Sequence, residues 1–141
     1  MNERISEKEK LKVLLIEPDK YPKMIEIDDT LEAMQELVGG NIEEYMPFED
    51  EVAIICNEEG KLMGLPLNRA IYDESNKEMI EIMAGRFFIT YAPVESEKFL
   101  DLPKDLADKY SRKYHYPERF FKTDKGIQAI PFKPANKDRD R

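Results

Sequence analysis

Five consecutive apolar residues, Val52–Cys56 (VAIIC), set the tightest limit on how this chain folds. A run so short and so rich in branched side chains suits a strand. With no polar residue on either side of its pleat, such a strand needs cover on both faces. Candidate neighbours lie on either side in sequence. Lys12–Ile16 (KVLLI) is closed by Pro18, and Phe87–Tyr91 (FFITY) by Pro93, so both read as strands. Lys23–Ile27 (KMIEI) alternates, Asn41–Phe48 holds a polar-apolar strand ended by Pro47, and Met79–Met83 (MIEIM) is a further candidate, ambiguous between strand and helix. The turn NEEG at Asn57–Gly60 predicts a hairpin in which Lys61–Met63 returns as partner to VAIIC.

Two segments carry helical spacing. In DDTLEAMQELVGG, Leu31, Met34, Leu37 and Val38 share a face, with Asp29 as N-cap, Glu32 completing a capping box and Gly39 and Gly40 as the stop. From Ser96 onward Phe99, Leu102, Leu106, Ala107 and Tyr110 share a second face. The expected class is α+β: a mixed or mostly antiparallel sheet of about five strands, a short helix over about 29–38 and a C-terminal helix over about 96–114.

Charge divides the chain. Its 141 residues hold 30 acids and 22 bases, a net of −8, yet residues 111–141 carry +5 and residues 1–110 carry −13. We expect residues 1–10 to be a flexible lead-in, 11–121 a single domain, and 122–141 a basic, flexible tail. An acidic body gives no electrostatic grip on nucleic acid phosphates or an anionic membrane, so nucleic acid enters only through the tail. No apolar run is long enough for a bilayer and the charged start has no signal-peptide core, so the expected location is cytoplasmic.

Few residues suggest chemistry. The chain has one cysteine, Cys56, and one histidine, His115, which excludes an intramolecular disulfide framework and a cysteine-rich or histidine-rich zinc site. Cys56 closes an apolar strand and His115 lies among aromatics, so a packing role is expected for each. No nucleophile elbow, Walker loop or dinucleotide fingerprint occurs. We therefore expect no catalytic residue, no metal and no cofactor. The carboxylates around Pro47 (Glu43, Glu44, Glu49, Asp50, Glu51) read first as a solvated loop. The aromatic-basic run from Lys109 to Phe121 can pack on the sheet or stack on bases.

One segment stands out. At Gly64–Arg69 (GLPLNR) glycine and proline interrupt the pattern, and an irregular connection presents Asn68 and Arg69. Arginine is scarce in the acidic body: before residue 111 only Arg4, Arg69 and Arg86 occur. Such an arginine serves either as an ion-pair partner or as a fork for an anionic group. The candidate ligand-binding set is Gly64, Asn68, Arg69 and Arg86.

Three strings in order, TLEAMQELVGGNIE (Thr30–Glu43), ICNEEGKLMGLPLNR (Ile55–Arg69) and AGRFFI (Ala84–Ile89), resemble a domain-of-unknown-function family of small proteins from Gram-positive bacteria, their phages and conjugative elements. The resemblance covers about residues 11–94. It implies an accessory gene of a mobile element and transfers no catalytic residue.

The expected function is a non-enzymatic accessory protein that binds or sequesters a small anionic, nucleotide-like ligand. The rival is an acidic protein–protein inhibitor that imitates DNA and blocks a host nucleic-acid enzyme, an antirestriction or other anti-defence role. A carboxylate-based metal-dependent hydrolase ranks last. The partner is thus a small anion or a protein, and self-association into a homo-oligomer is left open.

Overall fold

The computed structural model describes residues 9–135. Its centre is a five-stranded, wholly antiparallel sheet in the order β2-β1-β7-β4-β3, built from β1 (Lys10–Ile16), β2 (Lys23–Asp28), β3 (Ile42–Tyr45), β4 (Val52–Asn57) and β7 (Phe87–Tyr91). Every residue of β4 is buried, as its uninterrupted apolar run requires. The pleat divides the core in two. Leu14, Ile16, Val52, Ile54, Phe87 and Ile89 face one side, while Leu11, Val13, Ala53, Ile55 and Phe88 face the other.

Helix α1 (Leu31–Val38) covers the second side through Met34 and Val38. Its cap differs by one residue from the expectation: Thr30, not Asp29, is the N-cap, its hydroxyl accepting from Ala33 N at 3.1 Å. Gly39 ends the helix at φ 84°, its N–H donating to Gln35 O. The first side is covered by the hairpin β5 (Leu67–Tyr72) with β6 (Met79–Ala84) and by α2 (Lys104–Lys113). Tyr110, fully buried, and Tyr114 complete that core against Phe48 and Phe87.

Three expectations need correction. Helix α2 begins at Lys104, not near residue 96, because Leu100 bridges back to Tyr91 and Pro103 forms the cap. Lys61–Met63 do not pair with VAIIC: both edges of β4 are already taken, by β3 and β7, and Lys61, Leu62 and Met63 turn outward to solvent. Leu67, Asn68 and Arg69, expected in an irregular connection, belong to strand β5.

Much of the expected tail is ordered as a second hairpin, β8 (Glu118–Thr123) with β9 (Gly126–Pro131), joined through Asp124 and Lys125. Its period-2 alternation is shallow, with most positions exposed or half-exposed on both strands, which hides it from a search for a core-facing stripe. Residues 1–8 of the expected lead-in and 136–141 of the expected tail lie outside the described residues. Among the described residues no helix is long and apolar enough to cross a membrane.

Candidate functional site

The pairing of β5 with β6 slips between Leu67, opposite Ala84, and Arg69, opposite Met83, so Asn68 is an extra residue in the strand. Such a bulge breaks strict alternation and lets two successive side chains turn the same way. Asn68 and Arg69 are both fully buried.

A buried guanidinium is costly unless its donors are met. All five of Arg69's N–H groups are. Nε donates to Tyr114 O at 3.0 Å, and the two Nη2 hydrogens to Tyr114 O at 2.9 Å and Lys20 O at 2.8 Å. Nη1 donates to Asn68 Oδ1 at 2.9 Å and to Glu17 O at 3.4 Å. Asn68 in turn donates through Nδ2 to Ile16 O at 2.9 Å and Gly85 O at 2.8 Å. The charge is thus met by carbonyl dipoles. Glu118, the carboxylate that raises the Arg69 pKa most, spends Oε1 on Ala70 N at 2.8 Å. Burial pushes Arg69 down to about 10, against the pull of Glu118 and Asp19, which still leaves it cationic at neutral pH. Burial likewise pushes the Glu118 carboxyl up, against the Ala70 hydrogen bond and Arg69.

The four residues singled out by sequence land in three places. Arg69 and Asn68 line neither the cavity beside Cys56 nor the groove beside Arg86, and no donor of Arg69 is left to face a ligand. Gly64 sits at φ 75° in an exposed turn with open space around it. Arg86 is exposed immediately before β7 and lines a groove of about 460 Å³ beside α1 and β2. That groove also holds Lys10, Glu26, Asp28 and Glu36, three carboxylates to two cations, and Lys10 is itself paired with Asp28 at 2.6 Å. The structure does not bring Arg69 and Arg86 into one anion site.

The nucleophile candidates are also spoken for. Cys56 is buried, its Sγ donating to Glu43 O at 3.8 Å, and burial pushes the thiol up to about 11, away from the thiolate that nucleophilic work needs. His115 stacks on Tyr21 with ring centres 4.6 Å apart and meets Tyr116 edge-on, and it is not among the residues lining the 150 Å³ cavity beside Cys56. Among the described residues no three His, Cys, Asp or Glu side chains gather as a cation site would require. Tyr110 Oη and Lys109 Nζ both donate to Asp50 Oδ2, at 2.8 and 2.6 Å, holding that carboxyl below the usual aspartate range.

What remains facing water is charge and sheet edge. Glu43, Glu44, Glu49, Glu51, Glu58 and Glu59 are exposed along β3 and at both its ends. At β9 an edge lies open that sequence reading had placed in the loose tail. The signal that could have found it is the string ERFFKTDKGIQAIP, two short runs around a polar turn ending in glycine.

No curated protein and no solved structure matches the chain. A family model does, over residues 11–115, from the first core residue of β1 through Tyr114, whose carbonyl clasps Arg69, and stopping short of β8. The chain therefore belongs to the family Domain of unknown function (DUF3846).

Proposed function

We propose that this chain is a non-enzymatic accessory protein that works by contact with another protein, through the carboxylates along and around β3, on a partner with a basic face. The observation that carries this reading is the closure of Arg69: the guanidinium expected to hold a small anion is used entirely within the fold. The exposed functional groups in greatest supply are carboxylates on a body whose first 110 residues carry −13. Charge of one sign on a rigid edge favours recognition and fast association with a partner of opposite sign. The basic C-terminal stretch limits the DNA-imitating version of this role to the β3 side.

The test is capture of proteins from a Gram-positive bacterial lysate on immobilised chain at low and high salt. The comparison is a Glu43→Lys/Glu44→Lys/Glu58→Lys variant. We expect a basic protein retained at low salt, released at high salt and lost with the variant. Capture indifferent to both salt and charge reversal overturns the reading. Thermal stabilisation by nucleotides that Arg86→Ala abolishes would instead restore the small-anion role.

A further inference from the structure

Sheet edges attract other strands, and proteins ordinarily blunt them with charge, brevity or proline. Six strands have an outer edge among the described residues; β5 and β8 lie in contact with one another, which leaves β2, β3, β6 and β9. The first carries Lys23, Glu26 and Asp28. The second is four residues long with Glu43 and Glu44, and the third holds Glu81 paired to Lys61. The fourth, GIQAIP, contains no charge at all, and its one blunting residue, Pro131, is the last. On and beside it Phe121, Ile127 and Ile130 are each about half exposed, at 51%, 47% and 48%.

Which backbone groups face outward follows from the register. Thr123 opposes Gly126, and beyond the strands Phe132 N donates to Pro117 O at 2.9 Å. Antiparallel pairs alternate between bonded and unbonded, so Gly126, Gln128 and Ile130 spend their N–H and C=O groups on β8. Ile127 and Ala129 turn theirs away from it.

The geometry points to a second copy of this chain as the occupant of this edge: two β9 strands pairing antiparallel about a two-fold axis at Gln128, to form a four-stranded β8-β9-β9-β8 sheet. In that register Ile127 opposes Ala129 of the second copy and Ala129 opposes its Ile127, so all four outward N–H groups find carbonyls. An isologous contact needs a surface that complements itself, and an uncharged strand with matched donors and acceptors does. The side chains agree. Ile130 falls opposite the second copy's Gly126, which leaves it room. The tip carboxylate Asp124 comes alongside the second copy's Phe132 and Lys133, where opposite charges meet. An edge contact of this size gives a reversible dimer, not a permanent one.

Sedimentation velocity and native mass spectrometry on the full chain test this. We expect a monomer that converts to dimer as concentration rises to the submillimolar range. Ala129→Pro removes an outward N–H while leaving the bonds to β8, and Ile127→Lys sets a charge on the edge; each should abolish the dimer with the melting curve unchanged. Amide exchange on the unmodified chain gives a readout free of any folding defect in the variants: Ile127 and Ala129 should gain protection on concentration while the amides of β2 and β3 do not. A chain that stays monomeric, a dimer that survives either substitution, or protection that appears at β2 or β3 instead overturns the proposal. None of these outcomes depends on whether a basic partner binds at β3.

Discussion

At the scale of single residues, Arg69 is the one whose removal should cost most. It ties β5 to the β1–β2 connection through Glu17 and Lys20 and to the end of α2 through Tyr114, with its own side chain fully buried. Arg69→Ala strands those carbonyls and opens a void, so we expect a loss of at least about 3 kcal/mol in denaturant unfolding. Arg69→Lys should recover only part of it, since three donors on one nitrogen cannot span carbonyls set around a planar fork. A change within about 0.5 kcal/mol for Arg69→Ala would show that the clasp is not structural. Asp50 should give a pH signature of the opposite kind, small and electrostatic. Hydrogen bonds from Lys109 and Tyr110 depress its folded pKa, so ionisation favours the folded state. Its contribution is present above the ordinary aspartate value of 3.8 and is lost as pH falls through the lowered one. The stability gap between the native chain and Asp50→Asn should therefore be visible at neutral pH and close in acid. Because the pair is partly exposed, the gap should stay under about 1 kcal/mol. Melting curves of both proteins across that pH range check it, and a gap that widens in acid reverses the argument.

At the scale of elements, legibility tracked how much each segment buries. β1, β4 and β7 are dense apolar runs closed by turn residues or proline, and α1 has a clean face with glycine after it, so local pattern and tertiary role agree. β5 was hidden because Asn68 and Arg69, adjacent and polar, look like loop residues. They sit in a strand only because a bulge turns both inward to partners at residues 16, 17, 20, 85 and 114. No local window contains those partners. Sequence pointed to Arg69 as an isolated cation among acids, but whether its fork meets a ligand or the chain's own carbonyls is decided by contacts 45 to 52 residues away. The β8–β9 hairpin failed to show for the reverse reason: it buries little, so its alternation carries little apolar contrast. The family match ends before it, which sets that hairpin apart from the body in sequence as well as in packing.

At the scale of the molecule, the two-sided core and the lightly attached hairpin imply unequal resistance to opening. The central strands have apolar cover on both faces, from α1 on one side and from β5, β6 and α2 on the other, so exposing their amides requires losing both cores together. The hairpin is held by fewer ties: Glu118 on Ala70 N, the Arg119–Asp19 ion pair at 3.0 Å and local contacts with β5. Regions with few buried apolar contacts open at a fraction of the global free energy. In dilute solution, where self-association is absent, β4 and β7 amides should exchange last and together, at the rate set by global unfolding. Those of β8 and β9 should exchange much earlier and independently of denaturant at low concentration. If instead the hairpin exchanges in step with β4 at dilution, then Glu118 is no hinge-like tether, and its buried carboxyl joins the hairpin to β5 as a continuous part of the core, despite the exposure of Phe121 and Ile127.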